Sequence, residues 1–117
     1  MKNILKRDGY SIVIPILNEG KNLKDLIERI NKNLKKFKFE IIFVDDNSTD
    51  GSHYLLKKYK KIYKIRYFIR KQNPDLSLSC ILGFKKSKYD KIIVMDGDLQ
   101  HDPKYLPKMI KLFLKDK

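Results

Sequence analysis

Glu40-Ile-Ile-Phe-Val-Asp45 is followed directly by Asp46-Asn-Ser-Thr-Asp-Gly-Ser52. The first string is β-branched and aromatic without polar alternation, which suits a strand buried on both faces. The second is a cluster of turn and capping residues. Tyr54, Leu55, Tyr59 and Ile62 then recur at helical spacing. Strand, turn and helix in that order form one step of an alternating α/β chain.

The same step repeats on either side. Further strand-like runs are Tyr10-Ser-Ile-Val-Ile-Pro-Ile16, Lys64-Ile-Arg-Tyr-Phe-Ile69 and Lys91-Ile-Ile-Val-Met-Asp96. Leu23, Leu26, Ile27, Ile30 and Leu34 predict a helix between Lys21 and Phe37. Leu78, Ile81, Leu82 and Phe84 predict another before Lys88, and Tyr105, Leu106, Met109, Ile110 and Phe113 a last one. Asp102-Pro103 is a good start for that helix, because Asp caps and Pro at the first helical position loses no needed N–H. Four strands alternating with four helices predict an α/β fold with a Rossmann-like, open, mostly parallel sheet and flanking helices. In such sheets ligands bind beyond the carboxyl ends of the strands, where strand order reverses. An open sheet of four strands also leaves an edge and an apolar patch to be covered.

The strand ends are acidic. Asp45, Asp46 and Asp50 follow the second strand, and Asp96, Asp98 and Asp102 follow the fourth, six of the chain's 14 acids. Gathering like charges costs stability unless a cation or hydrogen-bond donors compensate. Asp96-Gly97-Asp98 places two hard carboxylates at one strand end, with Gly97 allowing a bend between them. Such oxygen ligands select Mg²⁺ or Mn²⁺, and Mg²⁺ completes its shell with water and substrate phosphates. Gln100 offers a further oxygen. The competing reading is an acidic turn that caps a helix. Asp45 and Asp46 have three readings: a metal pair, an acid that meets a base or ribose, or a turn capping the next helix through Ser48, Asp50 and Ser52. His101 offers a catalytic base but, with no visible partner, reads as a surface histidine or one that supports the site; His53 reads as a surface histidine, and Cys80, among Leu78, Ile81 and Leu82, as a small buried hydrophobe.

Neither G-x-G-x-x-G nor G-x-x-x-x-G-K-[ST] occurs, which speaks against a dinucleotide oxidoreductase and a P-loop enzyme. The formal charge is +13, from 27 basic and 14 acidic residues, in a chain of 117. That field attracts phosphates, nucleotides and anionic membranes. The cations are 23 Lys and 4 Arg, so the Arg forks that read nucleic acid are scarce and no nucleic-acid partner is expected. A single Cys rules out an intrachain disulfide. The N-terminal residues carry no signal-peptide pattern, and the longest apolar run, Ile12 to Leu17, is too short to span a bilayer. The expected location is cytoplasmic, with peripheral attachment at the cytoplasmic membrane face as a further expectation.

Together the strings Val13-Ile-Pro-Ile-Leu-Asn-Glu19, Phe43-Val-Asp-Asp-Asn-Ser-Thr-Asp-Gly51, Leu76-Ser77 leading to Gly83-Phe84, and Val94-Met-Asp-Gly-Asp-Leu-Gln-His-Asp-Pro103 resemble the nucleotide-binding half of family 2 glycosyltransferases with the GT-A fold. Within that family the last string is most similar to the dolichyl- and polyprenyl-phosphate sugar transferases. The resemblance runs from about Tyr10 to the end of the chain. It implies that Pro15, Leu17 and Glu19 line a nucleotide pocket, and that Asp46 accepts hydrogen bonds from the base with Asp45 supporting it. It implies that Asp96 and Asp98 hold Mg²⁺ or Mn²⁺ against the diphosphate of a UDP- or GDP-linked sugar, with Gln100 as a further ligand. The implied acceptor is a lipid phosphate, already anionic and in no need of a strong protein base. Leu17 stands where many members carry Tyr, and Asp75 where this subgroup usually has Gly. The family's acceptor pocket and later strands follow the last helix read here. The expectation is therefore one incomplete nucleotide-sugar-binding domain over residues 1–117, as a fragment, a split gene product, or the partner of a subunit that supplies the rest. The competing functions are a nucleotidyltransferase on a similar fold, and a truncated non-catalytic module. The latter would bind nucleotide, or lay its basic last helix (Lys104, Lys108, Lys111, Lys115, Lys117) on anionic lipid.

Overall fold

A computed structural model describes residues 7–98 and 102–115 of the chain. Four strands, β1 (Arg7–Ile16), β2 (Phe39–Asp45), β3 (Ile65–Ile69) and β4 (Tyr89–Val94), alternate with four helices, α1 (Leu23–Asn33), α2 (Ser52–Lys60), α3 (Leu76–Lys86) and α4 (Leu106–Lys115). All strand pairs are parallel, and the sheet order is β3-β2-β1-β4. This is the expected open parallel sheet. Only the boundaries moved. β1 starts three residues before Tyr10, and β4 ends before Met95 and Asp96, which pass into the following loop. α1 stops at Asn33 rather than reaching Phe37.

The order fixes the position of any site. The chain steps outward from β1 to β2 to β3, then α3 carries it back past β1 to β4. Right-handed crossovers in opposite directions put their helices on opposite faces. One face therefore carries the large core. Ile12, Ile14 and Ile16 of β1 and Ile41 and Phe43 of β2 are buried there with Leu23, Leu26, Ile27 and Ile30 of α1, Leu56 of α2, and Leu106 and Ile110 of α4. The other face, with Val13, Ile42 and Val44, is covered among the described residues by α3. There the helix comes close because position 83 is glycine: a Cβ on Gly83 would lie 2.3 Å from Val13 Cγ1.

Beneath α3, at the opposite end of the sheet from the acidic loops, lies a buried polar knot. Ser11 Oγ donates to Glu40 Oε2 at 2.6 Å and the Lys88 N–H donates to the same oxygen at 2.7 Å. Arg66 Nη1 donates to Glu40 Oε1 at 2.9 Å. Burial pushes the Glu40 carboxyl up, but the Lys88, Ser11 and Arg66 donors outweigh it and hold the group below its ordinary value. No helix among the described residues is long and apolar enough to cross a membrane.

Candidate functional site

Order in the sheet reverses between β1 and β4, and the loops beyond their carboxyl ends enclose a cleft of about 370 Å³. Pro15, Leu17 and Glu19 line it from β1 and its loop, and Asp46 from the loop after β2. Pro74, Asp75 and Leu76 close it at the start of α3, and Asp96, Gly97 and Asp98 after β4. Residues scattered from 15 to 98 in sequence thus share one wall.

The loops are stitched by short-range polar chemistry. The Asp46 N–H donates to Ile16 O at 2.8 Å, which extends the β1–β2 ladder past the last strand residue. Asn18 adopts φ 58, which Asn tolerates better than most side chains. In that pose its N–H donates to Ser48 Oγ and its Oδ1 accepts from the Thr49 N–H, both at 2.8 Å. Asp50 accepts from the Gly20 N–H at 3.0 Å and from the Ser52 N–H and hydroxyl. Partial burial opposes ionisation of Asp50, yet these donors, Ser52 first, hold its carboxyl below the usual value. Asp50 thus accepts from the first N–H of α2 and ties the first loop to the second, while the Ser52 hydroxyl donates to Asp50 and caps nothing. Gly51, at φ 93, forms the actual N-cap of α2.

Asp46 is held on both oxygens. Oδ1 pairs with Arg70 Nη1, and Oδ2 accepts from the Asp75 N–H at 2.7 Å. Arg70 is itself buried, and its other donors reach Gln72 Oε1 and Asn73 O. Sequence reasoning missed Arg70. The sequence shows only its place directly after β3, whose last residue, Ile69, pairs with Asp45 of β2. Asp75 has an extended backbone, φ −153, that any residue adopts, so the glycine usual in similar chains is not required by conformation here. Its carboxylate caps α3 by accepting from the Leu78 N–H at 3.0 Å.

The remaining predicted residues divide. Asp45 does not face the cleft: it is 0% exposed, accepting from the Ser48 N–H at 2.9 Å through Oδ1. Its Oδ2 lies 3.2 Å from His53 Nε2, within ion-pair distance but out of line for a hydrogen bond. His53 is thus set against the acidic loop, a closer link than a surface histidine has. Gly97 does more than was expected. It lies in a turn after β4, as expected, and it also permits close approach: a Cβ there would sit 2.7 Å from Ile16 Cγ2. Cys80 is half-buried, not buried, and burial, with the Asp96 charge, pushes its thiol up. Gln100 and His101 lie outside the described residues.

A divalent cation fits this donor set on one condition. Among the described residues no group of three or more His, Cys, Asp or Glu side chains is placed to hold a metal ion. Asp96 and Asp98 both face the cleft, and two carboxylates suit a cation that takes its other ligands from water and substrate phosphates. Glu19, Asp46, Asp75, Asp96 and Asp98 line the cleft, and no Lys or Arg is among its described lining residues. A phosphate-bearing ligand entering it needs a positive counter-charge.

Comparisons agree with the architecture. Over 101 residues the chain is 38% identical to a dolichol-phosphate mannosyltransferase of Pyrococcus furiosus, covering 86% of this chain and 29% of that protein. With the Saccharomyces cerevisiae dolichol-phosphate mannosyltransferase it shares 35% over 109 residues, 87% of this chain and 40% of that one. The chain thus spans well under half the length of these relatives. In structure it is similar to Staphylococcus aureus TarS 1-349, with a TM-score of 0.75 at 22% identity over 92% of this chain and 32% of that one. It is also similar to the mannosyltransferase PcManGT of Pyrobaculum calidifontis, crystallised with GDP-Man and Mn²⁺, with a TM-score of 0.76 at 16% identity over 90% of this chain and 32% of that one. The open parallel sheet is thus that of the GT-A glycosyltransferases. Residues 11–117 match the family described as glycosyl transferase family 2, and the chain belongs to that family.

Proposed function

We propose that this chain is the donor-binding part of a sugar transferase. It takes a UDP- or GDP-linked sugar together with Mg²⁺ or Mn²⁺, and the sugar passes to a dolichyl or polyprenyl phosphate. One observation carries the reading: Pro15, Leu17, Glu19, Asp46, Asp96 and Asp98 converge on one cleft at the point where strand order reverses. The two dolichol-phosphate mannosyltransferase relatives support the lipid-phosphate acceptor, and the GDP-Man and Mn²⁺ bound by PcManGT support the donor and the cation.

Each side chain has a definite task. Pro15 and Leu17 present an apolar wall to the base, Leu17 with less stacking area than an aromatic residue would give. Asp46, oriented by Arg70 and the Asp75 N–H, offers its remaining lone pairs to base N–H donors. Asp45, buried behind, fixes the turn that carries Asp46. Asp96 and Asp98 would hold the cation, with Gln100 as a further ligand. When bound, the cation supplies charge neutralisation to the leaving diphosphate. The loop after β1 offers Glu19 rather than a Gly/Arg-rich cradle, which leaves nucleotidyl transfer from a triphosphate without its usual support.

Calorimetric titration of GDP and of UDP, with Mn²⁺ and with EDTA, tests this. Binding of one nucleotide in preference to the other is expected, dependent on Mn²⁺, and weakened at least about tenfold, or about 1.4 kcal/mol, in Asp98→Ala and in Asp46→Ala. Equal affinity for both nucleotides with no response to metal contradicts the proposal.

A further inference from the structure

α3 is built inside out. The residues it turns toward the sheet are small, Ser79 and Gly83, both buried. Its large apolar residues face away: Leu78 is 47% exposed and Ile81 44%. An ordinary sheet-covering helix has the opposite arrangement, as α4 has with Leu106 and Ile110 buried. On the β3 side this outward face continues into an open groove of about 510 Å³, floored by Ile69, Leu78, Ile81 and Leu82 and rimmed by Lys71 and Lys85. No acidic residue lines it among the described residues.

We infer that this groove and the outward face of α3 dock on an anionic lipid surface. Apolar side chains ringed by lysines suit the boundary between acyl chains and acidic headgroups. The lysines meet headgroup phosphates while the apolar floor leaves water. The surface differs from the expected one. The last helix was the sequence's candidate for lipid contact; of its described side chains Leu106 and Ile110 are buried in the core, while Met109 is 48% exposed. The inference does not depend on the donor reading, since the groove lies outside the cleft-lining residues. The segment from Arg70 to Leu76 and the start of α3 border both.

The chain contains no Trp, so a single introduced one is a clean reporter. Ile81→Trp is compared with Tyr54→Trp, placed on exposed α2. The vesicles are phosphatidylcholine with about 30% phosphatidylglycerol, or phosphatidylcholine alone. The expected result is a blue shift and quenching by brominated acyl chains in the Ile81→Trp variant only, and only on anionic vesicles. Co-sedimentation should fall at least about tenfold for the charge-neutral pair Leu78→Ser with Ile81→Ser. It should fall further for Lys71→Glu with Lys85→Glu than for the charge-matched pair Lys108→Glu with Lys111→Glu. Each variant is titrated with GDP and UDP, so that failure of lipid docking reads separately from failure of donor binding. Equal losses from the two Lys→Glu pairs, with no spectral shift in Ile81→Trp, would reduce lipid binding to bulk charge and overturn the inference. A dimer in sedimentation equilibrium that Ile81→Ser dissociates would assign the groove to a second copy and overturn it equally.

Discussion

The two faces of the sheet are made differently. On one, β1, α1, α2 and α4 interlock through fully buried Ile and Leu side chains. On the other, α3 meets β1 through Gly83 and Ser79, and Ser11, Glu40 and Arg66 form a hydrogen-bonded knot below it. The first face gains stability from apolar area removed from water, the second from close backbone approach and the hydrogen bonds that Glu40 accepts. The cleft opens where both meet at the carboxyl ends of the strands, so its walls inherit one firm side and one thinly covered side.

Truncations on the first face should have the largest effect. Ile14→Ala, fully buried, is expected to cost about 2–5 kcal/mol in denaturant unfolding. On the second face the same kind of loss should come from adding atoms. Gly83→Ala forces a methyl against Val13 and should cost about 1–3 kcal/mol, with partial recovery in the double variant Gly83→Ala, Val13→Ala. Breaking the knot should cost somewhat less and depend on pH. Glu40→Gln is expected to lose about 1–2 kcal/mol near neutrality. The folded carboxyl titrates below its ordinary 4.5, so its contribution is present above that value and is lost as pH falls through the lower folded one. Stabilities of wild type and Glu40→Gln should therefore converge in acid; a gap that widens there contradicts the pairing. Smallest of all, Ile81→Ser on the outward side of α3 should change stability by no more than about 0.5 kcal/mol.

How much of this was legible in the sequence follows from range. Strand and helix order rests on local periodicity, and the acids at strand ends rest on local turn chemistry, so both could be read directly. The switch point followed from topology rules, and with it the cleft. Arg70 was not legible, because its meaning lies in Asp46, which another strand brings beside it. The close approach at Gly97 was hidden for the same reason: Ile16, its neighbour, is distant in sequence. The inversion of α3 was hidden because its apolar spacing predicts a helix without saying which side meets the sheet.

The central claim, that the strand-end carboxylates serve a cation shared with a nucleotide diphosphate, is tested most directly by crystals of the chain soaked with MnCl₂ and GDP or UDP. An anomalous manganese peak is expected in contact with Asp96 or Asp98 and with the nucleotide's phosphate oxygens, with the base against Leu17 and Asp46. A nucleotide bound in the cleft with no manganese at either carboxylate, or manganese bound only elsewhere, contradicts it.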